Sequence, residues 1–423
     1  MFEQIELKGL WWLPDNPSEK VPGILRITPD KKASLDLIGS VKSIKMIKAM
    51  GIFTRIILGL SGNSNITLYN CYPRAYYIYE SQMADILFDI QMVFKGSHFN
   101  KMEEIKFNEI MIDYLNLDKW VGQSGLEFEF SHKNTHEFVV KYKQPDPIEV
   151  FINNQFKISI VFGVSYPLGV TPGKGFSIKE KIRIMISPLE KLVIEDYLNI
   201  IRLIQIFLSL GLREKIYPFS VTGMDRETDG INEFNKKTEI YYNTIEYPTK
   251  SFSPQEIYFS FNDIPSRFDK FLQNWFAKAM LLEEVYNLYY STIDNYKSNI
   301  EEVFLTAIRT IESYHRYTYN NNHHSLGLRL LDIYNKYSIM LDKFIANKEE
   351  FIDKIVKTRA YHTHYISKLR EKVAKPDEII VLTKWIKILC EMCLLSEIGF
   401  NNEKVNYLAE TIILTDLQAK YQR

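Results

Sequence analysis

Five of the eight histidines lie in one fifty-residue stretch of this 423-residue chain: His315, His323, His324, His362 and His364. The last two closely follow Arg359, so a permanent cation lies beside two side chains that exchange protons near neutral pH. Arg can stabilise negative charge on a phosphate while His transfers protons. This combination suits the cleavage of a phosphodiester. The alternative is a solvated helix face that carries a histidine or two.

The segment from Phe351 to Lys375 is basic, although the whole chain has 52 Lys and Arg residues against 52 Asp and Glu residues. The neutral total argues against a protein that binds polyanions with its entire surface. Within the segment, seven basic residues accompany two acidic ones, which gives a local charge of +5. The side chains expected to bind a phosphate backbone are Lys354, Lys357, Lys368, Arg370 and Lys372.

A helix around residues 304–317 is the second element of the candidate site. Its apolar stripe consists of Phe304, Ile308 and Ile311. His315 continues the stripe, and Glu312 is three residues from both His315 and Arg309, so either pair can meet on the helix surface. One interpretation is a buried Glu–Arg or Glu–His network that fixes helix packing. The other is that Glu312 orients Arg359 or a catalytic histidine.

No metal and no cofactor are expected. Cys390 and Cys393 form a C-x-x-C pair inside an apolar helical run without a second pair, which favours buried helix cysteines over zinc ligands. His323 and His324 follow a run of Asn residues and are interpreted as solvated loop residues.

These candidates lie in the second of two halves with different texture. Up to about residue 250, Gly, Pro and Asn separate short apolar or alternating runs, such as residues 23–28, 33–38, 56–60 and 66–69. Strands at this spacing predict an antiparallel β-rich domain over residues 1–250, interrupted by one helix at about 188–210. From residue 262 to 423, apolar residues recur at helical spacing and predict an all-α bundle of five or six helices. The fold class is therefore α+β.

The chain shows no sign of secretion or membrane insertion. Its three cysteines cannot form a disulfide framework, and its first six residues lack the basic and apolar regions of a signal peptide. The most apolar long stretch, residues 192–212, carries charged residues in its first half and is interpreted as a core helix. We expect a cytoplasmic protein that does not interact with a membrane.

Several segments resemble the ApeA family. They are residues 9–14, 21–25, 35–39, 59–68 and 120–125 in the first half, and 275–276, 304–305 and 311–316 in the second. Residues 359–364 fit the Arg-x4-His form of the motif found in HEPN domains, which are small helical bundles and often ribonucleases. The resemblance implies a bacterial anti-phage protein that halts infection by cleaving cellular RNA, with tRNA as the expected target.

The resemblance also implies roles for individual residues. Arg359 and His364 would be the catalytic pair of a metal-independent HEPN endoribonuclease, in which a 2′-hydroxyl of RNA attacks the adjacent phosphate. The supporting residues would be His362, Glu312, His315, Arg309 and Thr363, and the basic residues above would bind RNA. HEPN sites usually form across a homodimer. Because RNA cleavage needs no β domain of this size, residues 1–250 are expected to sense an infection-derived trigger and to restrain the nuclease.

Two alternatives stay open. The family spacing selects His364 as the base, whereas helical projection places His362 within about 60° of Arg359 and His364 about 140° away. We prefer His364, because a site shared by two chains does not need both groups on one helix face. The position after the motif arginine is usually polar and is Ala360 here. A non-catalytic ligand-sensing or RNA-binding protein whose bundle only dimerises is therefore the rival interpretation.

Overall fold

The computed structural model describes residues 3–40, 54–78, 83–130, 138–166, 177–228, 233–243, 257–293, 299–319 and 323–421. The chain forms two compact units. The β unit comprises Met1–Asp118, Gln123–Arg202 and Tyr217–Thr249, and the helical unit comprises Lys119–Gly122, Leu203–Ile216 and Lys250–Arg423. The helical unit thus includes two short segments that a single boundary between residues 250 and 262 assigns to the first half.

The first six strands of the β unit close into a ring. They are β1 (Ile5–Trp12), β2 (Val21–Ile27), β3 (Ala33–Ser40), β4 (Thr54–Ser61), β5 (Ser64–Ile78) and β6 (Met83–Lys95). Each strand pairs antiparallel with its neighbours in the order β6-β3-β2-β1-β4-β5, and β5 pairs with β6 to complete the ring. Alternate side chains point inward, so Leu25, Leu35, Leu68 and Phe88 share one buried core with Trp11.

The ring is continued by a sheet that starts at β6. Its strands are β8 (Glu109–Tyr114), β11 (Ile148–Ile152), β12 (Phe156–Ser165), β13 (Lys179–Pro188), β15 (Pro218–Thr228) and β16 (Glu233–Tyr242). They pair antiparallel in the order β11-β12-β13-β8-β15-β16-β6. Two short pairs complete the strands: β7 (Lys106–Phe107) with β14 (Leu192–Val193), and β9 (Leu126–Phe130) with β10 (Phe138–Tyr142). The predicted antiparallel β-rich half is confirmed.

The predicted helix at 188–210 begins later than the sequence suggested. Pro188 ends β13, and Leu192 and Val193 pair with Phe107 and Lys106. The first helix of the chain, α1, is short and spans Leu117–Val121. The predicted helix is the second one, α2, and it spans Ile194–Leu212. A strand partner more than 80 residues away in the sequence overrides the local helical pattern, which explains the error.

The helical unit contains the remaining described helices: α3 (Phe268–Thr292), α4 (Ile300–Tyr319), α5 (Leu326–Lys336), α6 (Ser338–Leu341), α7 (Lys348–His364), α8 (Pro376–Ile398) and α9 (Asn402–Tyr421). Helix α8 packs against α3, α4 and α9 and is buried along most of its length. The predicted stripe of α4 faces this core, since Phe304, Ile308 and Ile311 are all buried. The predicted helical second half is confirmed. Among the described residues, none of the helices combines the length and the hydropathy that crossing a bilayer requires.

Candidate active site

Helix α7 carries the Arg-x4-His motif on the surface of the bundle. Asn347 caps its start, because the side-chain oxygen accepts a hydrogen bond from the backbone N–H of Glu350 at 3.1 Å. Only Ile355 and Thr358 are buried along its 17 residues, so most of the helix remains accessible. It ends where Tyr365 adopts a left-handed conformation with φ of 51°. The motif therefore occupies the last two turns of an accessible helix.

Glu312 on α4 holds the motif arginine. Its Oε2 lies 3.6 Å from Nη2 of Arg359, and the two side chains are 19% and 35% exposed. The guanidinium is thus fixed on one side by a carboxylate and reaches solvent on the other. The sequence left Arg309, a histidine or Arg359 as possible partners of Glu312, and in the structure Glu312 contacts Arg359. Arg309 is exposed, and within the described part of the chain no carboxylate pairs with it.

The two motif histidines differ in accessibility. His364 is exposed, whereas His362 is half-buried with the ring of Tyr361 edge-on to it at 5.2 Å between centroids. Neither imidazole forms a hydrogen bond or an ion pair with Arg359 among the residues that the structure describes. A single chain therefore brings Arg359 to Glu312 but does not assemble the arginine and an imidazole into one hydrogen-bonded group.

The threonines near Ala360 have different surroundings. Thr363 is exposed. Thr358 is buried, its hydroxyl donates to the carbonyl of Lys354 at 2.7 Å, and it accepts from the backbone N–H of Ala374 at 3.0 Å. Thr358 therefore ties the loop after α7 back to the helix. Its hydroxyl is occupied by backbone groups, so it does not replace the polar side chain that Ala360 lacks.

The predicted RNA-binding residues fall into two groups. Lys354 pairs with Glu378 at 3.4 Å, and Lys357 pairs with Asp353 one turn earlier on α7. In contrast, three of the four basic residues in the loop between α7 and α8 are predicted RNA-binding residues that are exposed and that no carboxylate in the described ranges pairs with: Lys368, Arg370 and Lys372. The available positive charge is therefore concentrated on this loop, directly after His364.

His315 lies in a different environment from the motif histidines. It is fully buried, its Nε2 lies 2.8 Å from Oδ2 of Asp332, and the ring of Tyr319 stacks on it at 4.3 Å. Burial lowers the pKa of His315, and the hydrogen bond to Asp332 partly opposes this effect. His315 contacts Asp332 in place of the Glu312 considered in the sequence analysis. No local pattern indicates this contact, because it depends on how α4 and α5 pack.

His324 is also bonded to Asp332, through Nδ1 at 3.1 Å, and its side chain is 32% exposed. His323 is exposed, as expected of a solvated loop residue, whereas His324 lies in the loop but is only partly solvated because its imidazole bonds to Asp332. The cysteine interpretation agrees with the structure, since Cys390 and Cys393 are both free and buried in α8. Burial raises the pKa of Cys393 to about 12, so its thiol is unreactive at neutral pH.

Comparison with protein families gave two matches. The model of ApeA N-terminal domain 1 matches residues 6–275, which is more than half of the chain, and the model of Apea-like HEPN matches residues 284–404. The second match includes Glu312, Arg359 and both motif histidines. Searches of curated proteins and of solved structures found no match.

Proposed function

Because the chain belongs to the ApeA family and includes an ApeA-like HEPN domain, we propose that it is an anti-phage effector that cleaves RNA with its helical unit. HEPN domains are typically ribonucleases. The observation that carries the proposal is the Glu312–Arg359 pair, which holds a guanidinium at the surface within five residues of two accessible imidazoles. This arrangement suits the stabilisation of a phosphate during proton transfer.

The proposed reaction is an intramolecular transesterification of RNA. The 2′-oxygen forms a bond to the adjacent phosphorus, its proton passes to the imidazole of His364, and the bond from phosphorus to the 5′-oxygen breaks. The leaving 5′-oxygen takes up a proton from water, and the imidazolium of His364 returns its proton to the solvent. Arg359 stabilises the extra negative charge on the phosphorane. The products are a 2′,3′-cyclic phosphate and a 5′-hydroxyl, and DNA is inert because it lacks the attacking hydroxyl.

We assign the base to His364 because it is exposed at the helix end, next to the loop that carries Lys368, Arg370 and Lys372. His362 is half-buried against Tyr361 and is the supporting residue. RNA entering along the loop would reach His364 first.

The loop cations are the proposed RNA-binding side chains. Arg370→Ala should weaken binding to every RNA sequence and reduce the slope of log affinity against log salt by about 0.7–0.9. Lys357→Ala is the matched control, because Asp353 already pairs with Lys357. The slope is measured by fluorescence anisotropy with catalytically inactive protein. Equal slopes for both variants would remove the loop from the RNA-binding surface.

We propose a homodimer as the active unit. Arg359 and His364 diverge by about 140° on one helix, so a single phosphate is contacted more readily by groups from two chains. Next to His364, Tyr365 and Ile366 are 75% and 41% exposed, and they form an apolar rim that a second copy would cover. Two basic loops then face the same RNA cleft, and a C2 arrangement is the commonest closed assembly.

Regulation by the β unit is a further part of the proposal. The uninfected cytoplasm would contain restrained full-length protein, and an infection-derived trigger recognised within residues 1–250 would release cleavage of tRNA. In cells that express the full chain, tRNA fragments should accumulate after infection and be rare before it. Equal fragment levels before and after infection would exclude restraint by the resting protein.

The central experiment incubates purified full-length protein with total tRNA, with and without EDTA, and analyses the termini of the fragments. Wild-type protein should give 2′,3′-cyclic phosphate ends in both conditions, and an all-deoxy substrate of the same sequence should stay intact. His364→Ala should abolish cleavage, His362→Ala should reduce it less, and His323→Ala is the matched control, because it removes an exposed imidazole outside the motif. If His362→Ala is inactive and His364→Ala is active, the assignment of the base is wrong.

The rival function is a non-catalytic RNA-binding or ligand-sensing protein whose bundle only dimerises. Two observations favour it: Ala360 replaces the usual polar residue, and Arg359 contacts neither imidazole within the described residues. Binding of tRNA without any cleavage, in the presence of the infection-derived trigger, would support this rival.

A further inference from the structure

Three potential metal ligands meet beside the candidate active site. They are Nε2 of His315 at the end of α4, Nδ1 of His324 just before α5, and a carboxylate oxygen of Asp332 on α5. All three atoms lie within 4.8 Å of one another. None of them belongs to the Arg-x4-His motif, and the mechanism proposed above uses none of them.

The donor set is that of a transition-metal site. Two imidazole nitrogens and one carboxylate are typical ligands of Zn²⁺ and of other divalent first-row metals, whereas Mg²⁺ and Ca²⁺ prefer oxygen ligands. Ligand atoms around a tetrahedral Zn²⁺ lie about 3.4 Å apart, from bond lengths of about 2.1 Å. Oδ2 of Asp332 is 2.8 Å from His315 and 3.1 Å from His324. A small shift of Oδ2 of Asp332 away from both imidazoles gives these two distances the length that the ion needs.

The site is fixed on one side and open on the other. His315 is fully buried, and the ring of Tyr319 stacks on its imidazole with an angle of 5° between the two ring planes. Asp332 and His324 are 34% and 32% exposed, so water has access for the remaining coordination position. Ser325 caps α5 by accepting from the backbone N–H of Leu328, which fixes the chain directly after His324. The ligands are therefore held on elements that are already ordered relative to one another.

Two features moderate the affinity. Arg329 donates to the carbonyl oxygens of His324 and Glu312 at 2.9 and 3.3 Å, which places a positive charge beside the ligands. When Nε2 of His315 binds a metal, Nδ1 must carry the proton, and this buried atom has no hydrogen-bond partner within the described residues. Both costs apply to any divalent ion, and Zn²⁺ is favoured because it has no geometric preference of its own and adapts to the geometry that these ligands set.

We propose that His315, His324 and Asp332 bind one divalent transition-metal ion, with Zn²⁺ as the preferred ion. The ion ties the segment before α5 to the end of α4, one turn from Glu312. Its role is to stabilise the helix that positions Arg359, and it takes no part in the bond changes of RNA cleavage.

The test is metal binding by the full-length protein after removal of metals with a chelator. Co²⁺ is titrated while its visible absorption is recorded, and Zn²⁺ is then added in competition. One equivalent of Co²⁺ should bind and be displaced by Zn²⁺. His324→Ala should weaken binding by at least about tenfold, and Asp332→Asn should do the same. The matched control is His323→Ala, which removes the neighbouring imidazole outside the triad and should bind like wild type.

The outcomes are decisive without an activity assay. Failure of the wild-type chain to bind Co²⁺ or Zn²⁺ would overturn the proposal, as would equal affinity of wild type and His324→Ala. Because His324 is partly exposed, its substitution should leave the fold intact, and circular dichroism checks this. If that variant does not fold, Asp332→Asn decides. Thiol ligation is not a competing explanation, since Cys71, Cys390 and Cys393 are all buried.

Discussion

Replacing Glu312 by Gln separates the positioning of Arg359 from the stability of the bundle. The substitution keeps the size of the side chain and removes the negative charge that lies 3.6 Å from the guanidinium. Because Arg359 is 35% exposed, solvent screens the pair, and its contribution to the free energy of unfolding is about 0.5 kcal/mol. For a unit of the size of the helical one, unfolding on its own, the melting temperature should then fall by only about 1–2 °C.

The effect of Glu312→Gln on the reaction should be larger. Removing the guanidinium altogether, as in Arg359→Ala, should cost about 10²–10³ in kcat. Misplacing it by about 1 Å costs up to about 10². Since Gln can still accept a hydrogen bond from Arg359, we expect kcat to fall about tenfold. KM for RNA should stay equal or decrease, because a negative charge near the phosphate has been removed.

Steady-state cleavage of a fluorescent tRNA anticodon stem-loop measures both parameters. The matched control is Glu302→Gln, which makes the same charge change near the start of α4. A purely structural role for Glu312 would lower the melting temperature and leave kcat per folded molecule unchanged. Full kcat in a folded Glu312→Gln variant would therefore refute the positioning role. Full activity of Arg359→Ala as well would mean that the site itself is misassigned.

Three further predictions test the assembly and the bundle. A mixed dimer of an Arg359→Ala chain and a His364→Ala chain should recover up to about half of the activity per dimer in a tRNA cleavage assay, and continued inactivity would refute a site shared by two chains. Glu391→Ala should lower the free energy of unfolding in urea by about 3 kcal/mol, because it leaves the charge of Arg213 near Tyr258 without its carboxylate; a loss below about 1 kcal/mol would contradict this. The carboxylate of Glu378 accepts a hydrogen bond from the backbone N–H of Lys375, and this bond lowers the pKa of the carboxyl group. The contribution of Glu378 to the free energy of unfolding is therefore complete above the ordinary pKa of 4.5 and is lost as the pH falls through the lowered pKa. If this helix cap is worth about 1 kcal/mol, wild type should melt about 2–4 °C above Glu378→Gln at pH 7. The difference should shrink below pH 4.5, and a difference independent of pH would contradict the capping role of the Glu378 carboxylate.

The parts of this protein that could be predicted are those encoded locally. The period of Phe304, Ile308 and Ile311 indicated a buried face of α4, and the structure buries all three. Arg359 and His364 could be proposed because their motif is contiguous, and their catalytic role stays a prediction. Asp332 was not, because its contact with His315 joins two helices whose packing no local pattern reveals.

Two strand features show the same limit. The short runs at residues 23–28 and 33–38 indicated strands that the structure forms as β2 and β3, but the closure of the ring depends on β5 pairing with β6. At one position the structure explains a residue that the pattern does not: Gly59 in β4 lies opposite Trp11, and a Cβ there would overlap the indole ring. A glycine that would weaken an isolated strand is thus required by a side chain on its neighbour.

The discontinuity of the helical unit affects what proteolysis and synthesis can do to this protein. Trp275 donates to the carbonyl of Leu203 at 2.9 Å, and the backbone N–H of Tyr258 donates to the carbonyl of Gly211 at 2.8 Å. A protease cutting near residue 250 would break the covalent link between the bundle and residues 203–216, so a fragment with the later helices alone would lack part of the helical unit. During translation, residues 203–216 leave the ribosome before the helices they pack against. The helical unit is therefore completed last, after the β unit has had time to fold.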